Sequence, residues 1–179
     1  MKFSASSTEL QKLLGTIGGV IPSKSTLPIL ENFLFQVSKD ILRITATDLD
    51  TSMSVSMKIN SAQEGIMAVP AKRLFETVRA LPSTDVVFVG DETNNRIIMS
   101  TSNGEYKLTG ESSENYPAIP TFKGNDEMEI ENDTLRRLIS KTAFAVSSDE
   151  LRPAMMGILF QIKKNEVRVA TNVLTRDGA

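Results

Sequence analysis

Cysteine and histidine are both missing from these 179 residues. That excludes disulfides, thiol nucleophiles, Cys/His zinc sites and every Ser-His or Cys-His relay. The absence of cysteine also fits a reducing compartment. There is no tryptophan, and aromatics make up 6% of the chain, so a stacking platform for single strands would have few rings to use. No run of about 18 apolar residues exists, and the opening Met1-Lys2-Phe3 stretch carries charge inside its apolar pattern. Neither a spanning helix nor a signal peptide is expected. A basic excess is missing too, since the formal net charge is −2. Taken alone, this argues against a tight grip on nucleic acid. What remains is 40% apolar and 23% charged, enough for a real core in an intracellular globular protein.

Three segments have helical spacing. Leu10, Leu13, Leu14 and Ile17 share a face after Ser7-Thr8-Glu9, and Gly18-Gly19 is expected to cap that helix. Pro70 and Pro82 bracket Ala71–Leu81, where Leu74, Phe75 and Val78 align. The third helix starts near Asn132-Asp133, either of which is a plausible N-cap, and places Leu135, Leu138 and Ile139 together.

The rest alternates. Strands are predicted over 33–37, 42–46, 52–59, 65–69, 86–89, 96–100, 105–109, 127–130, 158–162 and 167–171. Asn103-Gly104 is a hairpin signal. Tyr116-Pro117 through Pro120, followed by Lys123–Asp126, reads as an extended linker. Short hairpin-linked strands with isolated helices indicate an α+β antiparallel architecture.

The chain also repeats itself. Shifted by 125 residues, Leu10–Leu49 lies over Leu135–Leu174 without a gap, and ten of the 40 pairs are identical. Phe33-Leu34-Phe35-Gln36-Val37 falls on Ile158-Leu159-Phe160-Gln161-Ile162. Two unrelated helix-then-strand units could share such a pattern, but the gapless length favours a duplicated module of about 125 residues. The expected organisation is one complete module, 1–125, and the truncated start of a second, 126–179. The Ala71–Leu81 helix and the hairpins after it have no second copy.

Charge is segregated by element. The segments 7–18, 71–81 and 132–146 hold seven basic residues against three acidic, a surplus of four that leaves the remainder with a deficit of six. Basic helices on an acidic body could face a polyanion. Solvated helix faces would show the same counts, because Lys and Arg are good helix formers. Asp48 and Asp50 form the most acidic short motif. They suit either a solvated strand-to-turn transition or a minor metal-dependent carboxylate site. A protein-interaction module acting through the Tyr106 strand is a further alternative.

Several strings carry a resemblance. Met1-Lys2-Phe3, Ser25-Thr26-Leu27-Pro28-Ile29-Leu30-Glu31-Asn32, Thr45-Ala46-Thr47-Asp48-Leu49-Asp50, Val69-Pro70-Ala71-Lys72-Arg73-Leu74-Phe75 and Arg79-Ala80-Leu81-Pro82 occur in order, followed by Tyr116-Pro117. The set resembles the N-terminal part of bacterial DNA sliding clamps, the beta subunits of DNA polymerase III. Arg152-Pro153-Ala154-Met155-Met156-Gly157 is similar to the start of that family's second domain. The general character resembles clamps of the Bacteroidetes.

The resemblance implies a clamp fold with two helices per module. It also implies a head-to-tail homodimeric ring around duplex DNA, a role in polymerase processivity and no catalysis or cofactor of the chain's own. The enzyme served would be a DNA-directed DNA polymerase, a nucleotidyltransferase in the bacterial cytoplasm. A ring holds DNA topologically, so a near-neutral charge no longer argues against it. Lys24, Lys72 and Arg79 match DNA-facing positions, and Arg136, Arg137 and Lys141 are assigned to the hole from helix geometry and charge. The family's DNA contact before Arg152 is put in doubt by Asp149-Glu150. Arg73, Tyr106 and Leu108 match the dimer interface. Arg152, Met155 and Thr171 match the first positions of a cleft that takes peptide motifs of polymerase, clamp loader and repair proteins. From Asn172 the sequence departs from the family, so this cleft is expected to be incomplete. The chain on its own is expected to form no ring.

Overall fold

The computed structural model describes residues 1–119, 128–149, 151–163 and 166–171. The chain divides into two compact units, Met1–Thr121 and Phe122–Ala179.

The first unit runs β1 (Lys2–Ser6), α1 (Ser7–Ile17), β2 (Asn32–Ser38), β3 (Ile41–Thr47), β4 (Ser52–Lys58), β5 (Asn60–Gln63), β6 (Gly65–Pro70), α2 (Ala71–Ala80), β7 (Asp85–Asp91), β8 (Arg96–Thr101) and β9 (Gly104–Thr109). Two antiparallel sheets result, ordered β5-β1-β7-β8-β9 and β4-β3-β2-β6. Their inner faces and the apolar stripes of α1 and α2 share one core. At its centre Phe3 stacks on Phe88 with centroids 4.8 Å apart, and Phe35 is tilted against both. The start of α1 is tied to the segment after α2. Ser7 Oγ donates to Pro82 O at 2.8 Å and accepts from Thr84 N–H at 3.0 Å.

The second unit contains α3 (Asn132–Thr142), β10 (Leu159–Lys163) and β11 (Glu166–Ala170). The 125-residue shift carries α1 onto α3 residue for residue. It also carries the 3-10 turn Gly18–Val20 onto the 3-10 turn Ala143–Ala145. All five β2–β3 pairs, from Leu34↔Thr45 to Ser38↔Ile41, map onto the five β10–β11 pairs. The sequence repeat is therefore a structural repeat.

Several local expectations change. β1 and β5 were not among the predicted strands. The predicted strand 52–59 breaks at Ile59, whose N–H donates to Asp40 O, and the chain crosses from one sheet to the other there. Residues 128–130 are not a strand, and Glu127 lies outside the described residues. Gly18 does not cap α1 with a left-handed turn. Its φ is −61°, and the helix tightens into the 3-10 turn instead. The residue before α3 is Glu131, whose carbonyl accepts from Leu135 N–H, so Asn132 and Asp133 both fall inside the first turn. Tyr116 is no exposed linker residue. It is buried with Ile29, Leu30 and Ala68, and its hydroxyl donates to Thr45 O at 3.2 Å and to Asn32 O at 3.4 Å. Burial pushes its phenol up to about 12. Pro120, Lys123–Asp126, Glu150 and 172–179 lie outside the described residues.

Candidate nucleic-acid interface

On α2 the side chains of Ala71, Leu74 and Val78 face the core, which leaves Lys72, Arg73, Glu76 and Arg79 in solvent. Lys72 and Arg79 lie two turns apart, about 10 Å along the axis. On α3, Leu135 and Leu138 are half-buried, while Arg136, Arg137 and Lys141 are exposed. Lys12 is exposed on α1, which packs beside α2. Among the described residues, no ion pair involves a cation of these three helices. Arg79 and Lys141 occupy last turns, where a positive charge complements the helix dipole.

Lys24 is exposed in the loop before β2. That loop is fixed by Leu27 N–H to Ser25 Oγ and Ser25 N–H to Glu31 Oε1. Its neighbour Ser23 lines a cavity of about 670 Å³ together with Lys72 and Arg73, so the fold brings this loop to the first turn of α2. Arg79 sits at the far end of the helix. Lys12 was not singled out as a site residue in the sequence. Its signal was its place opposite the Leu10/Leu14 stripe.

Tyr106 and Leu108 lie on β9, an edge strand of the five-stranded sheet, opposite Met99 and Ile97. They share the core-facing side with those residues, yet Tyr106 remains 36% exposed, and no strand among the described residues covers that edge. Arg73 stands at the cavity instead, and among the described interactions none links it to β9. In the second unit, Arg152 Nε pairs with Asp149 at 3.6 Å, so this carboxylate is met within its own loop. Met155 O accepts from Ser147 N–H at 2.9 Å, and Thr171 Oγ1 donates to Thr142 O at 3.3 Å. These bonds fix the cleft candidates' local conformation.

The acidic motif has a structural task. Asp48 Oδ1 accepts from Thr51 N–H at 2.6 Å and Asp50 N–H at 3.1 Å, and Asp48 N–H donates to Thr51 O. This turn holds Leu49 at φ 83°. A carboxylate spent on two backbone amides is a turn former. No cluster of three metal-ligating side chains exists among the described residues. Asp91 is similar, its carboxyl held below the usual range chiefly by the Asn94 side-chain amide.

The family profile described as "DNA polymerase III beta subunit, N-terminal domain" matches residues 1–120. The chain belongs to this family. The profile of the beta subunit's central domain matches residues 129–174. Among curated beta-subunit relatives, the beta sliding clamps of Haemophilus influenzae and Escherichia coli K12 are each 30% identical over 174 residues, 96% of this chain and 47% of theirs. The chain thus spans about half the length of the curated relatives it matches. Solved beta-subunit structures agree. A sliding clamp from Bartonella birtlesii, crystallised with griselimycin, superposes with a TM-score of 0.89 at 27% identity, and one from Caulobacter crescentus with 0.85 at 28%. Each comparison covers 96% of this chain and 47% of the other. None of these names bears on the likeness to Bacteroidetes clamps.

Proposed function

We propose that this chain forms the N-terminal domain and the start of the central domain of a ring that encircles duplex DNA and keeps a replicative polymerase on its template. The observation that carries this is the set of exposed, unpaired cations on α2 and α3, on helices of a repeated module belonging to the beta-subunit family. Domain boundaries at 1–125 and 126–179 follow from the repeat. Lys24, Lys72, Arg79, Arg136, Arg137 and Lys141 would face DNA phosphates, and Lys12 joins them. Arg73, Tyr106 and Leu108 would meet the next subunit, since β9 offers an unpaired ladder edge. Arg152, Met155 and Thr171 would contribute to the cleft that receives partner peptides. The protein itself catalyses nothing, and its work lies in the bacterial cytoplasm at the nucleoid. No helix among the described residues is long and apolar enough to cross a membrane.

Topology distinguishes this reading from contact binding. A subunit of the relatives' full length carrying this sequence should stay on nicked circular duplex through gel filtration and slide off once the DNA is cut. The 179-residue chain alone should be retained on neither form. Equal, salt-sensitive binding of the short chain to linear and circular DNA would overturn the topological reading in favour of direct phosphate contacts. In the full-length subunit, Lys72→Glu with Arg79→Glu should reduce retention while leaving the fold intact, because both side chains are in solvent.

A second reading rests on the same edge strand. If β9 recruits a different protein, a pull-down should depend on Tyr106 and Leu108. Capture unchanged in Tyr106→Ala with Leu108→Ala would remove it.

A further inference from the structure

The Asn103-Gly104 pair does more than make a turn. The hairpin centre is Ser102-Asn103, and Gly104 is already the first residue of β9, paired with Thr101. The dipeptide therefore sits at the mouth of the free edge strand, with both residues exposed. We propose that Asn103 is a site of spontaneous covalent modification, in which Gly104 N attacks its side-chain amide and converts it to an acid.

Three features support the chemistry. Gly104 has no side chain to hinder its backbone nitrogen, and a Cβ built there meets nothing within 4 Å, so no neighbour crowds that residue. Ser102 Oγ donates to Asn103 Oδ1 at 3.1 Å, which polarises the amide carbonyl towards a nucleophile. The Asn103 side-chain nitrogen donates no hydrogen bond to the described residues that would hold it as a leaving group. Two other amides are restrained. Asn94 Nδ2 donates to Asp91 at 2.7 Å, and Asn32 Nδ2 donates to Pro28 O, Ile29 O and Glu111 Oε1.

The step balances without an oxidant. A hydroxide ion or buffer base removes the Gly104 amide proton. The nitrogen bonds to Asn103 Cγ, the conjugate acid of that base returns the proton to the departing NH2 as the Cγ–N bond breaks, and ammonia departs to leave a five-membered imide. Water then opens the imide at either carbonyl, giving aspartate or isoaspartate. Either product puts a carboxylate two residues from Glu105, and isoaspartate also routes the main chain through an extra methylene just before Tyr106. The consequence for ring closure rests on the role proposed for β9, but the modification does not.

The test incubates the folded 179-residue chain at mildly alkaline pH and follows each asparagine by peptide mass, with enzymatic methylation to report isoaspartate. The native Asn103 peptide should be lost faster than those carrying Asn94, Asn95 or Asn115. Asn103→Gln and, separately, Gly104→Val should suppress the loss at this position. Conversion at Asn103 no faster than at Asn94, or an unchanged rate in Gly104→Val, would overturn the proposal. These masses are read on the short chain without DNA or assembly, so failure here leaves the proposed function standing, and failure of DNA retention leaves the modification standing.

Discussion

The hairpins β2–β3 and β10–β11 pair the same five positions under one shift, yet their side chains meet different surroundings. Phe35 is 0% exposed and Val37 2%, whereas Phe160 is 38% exposed and Ile162 59%. Leu10 and Leu14 are buried on α1, while no residue of α3 is buried. Register is thus a local property, set by the alternating pattern and the turn. Burial is supplied by the elements that cover the hairpin. In the first unit these are α1, α2 and the inner face of the five-stranded sheet, and among the described residues the second unit has no counterpart of α2 or of that sheet. A repeated sequence gives a repeated local structure, and core energy only where the cover is present.

The contrast makes measurable claims. The largest concerns the paired phenylalanines. Phe35→Ala removes a ring from the Phe3/Phe88 cluster and should cost about 3–5 kcal/mol in denaturant unfolding, against less than about 1 kcal/mol for Phe160→Ala in this chain. Equal costs would break the comparison.

Next is an alkaline effect confined to the first unit. Tyr116 has its phenol raised from 10.0 to about 12 by burial. A raised folded pKa means stability present below pH 10 and lost as pH climbs through the folded value, here by about 2–3 kcal/mol. Unfolding followed across that window should show the loss in the native chain and not in Tyr116→Phe.

Third, Gly110 lies where a Cβ would come within 2.5 Å of Ala68 O, at the bridge between β6 and Glu111. Gly110→Ala should lower stability by about 1–3 kcal/mol in thermal melts, because backbone cannot move aside as a side chain can.

The smallest effect has the opposite sign. Leu49 pays about 1–2 kcal/mol for its left-handed backbone, partly offset in a glycine variant by the lost chain entropy. Since Leu49 is mostly in solvent, Leu49→Gly should raise the melting point slightly.

Much of this was legible in the residues. The Pro70 and Pro82 brackets and the Leu74/Val78 spacing marked α2 to within a residue, and the 125-residue shift foretold which elements would recur. The cationic positions on α2 and α3 emerged from the same periodicity. Other features had no local signal. β1 has only Phe3 as a large apolar residue, and β5 is wholly polar apart from Ala62, so both are strands because long-range pairing makes them so. Tyr116 follows a polar stretch and precedes a proline, which is loop chemistry. Its burial depends on carbonyls contributed from 71 and 84 residues earlier in the chain. The acidic motif misled in the other direction, since spacing alone could not tell that Asp48 would spend its carboxylate on backbone amides.

The position of β1 has a consequence for synthesis on the ribosome. It is an interior strand whose Phe3 pairs with Phe88, 85 positions later. The sheet of β2, β3, β4 and β6 needs nothing beyond residue 70, so it can assemble while the chain is still being made. Residues 2–6 must wait, unpaired on one side, until β7 has left the exit tunnel. Among the strands of the first unit, β1 therefore completes its pairing only after β2, β3, β4 and β6 can have formed theirs.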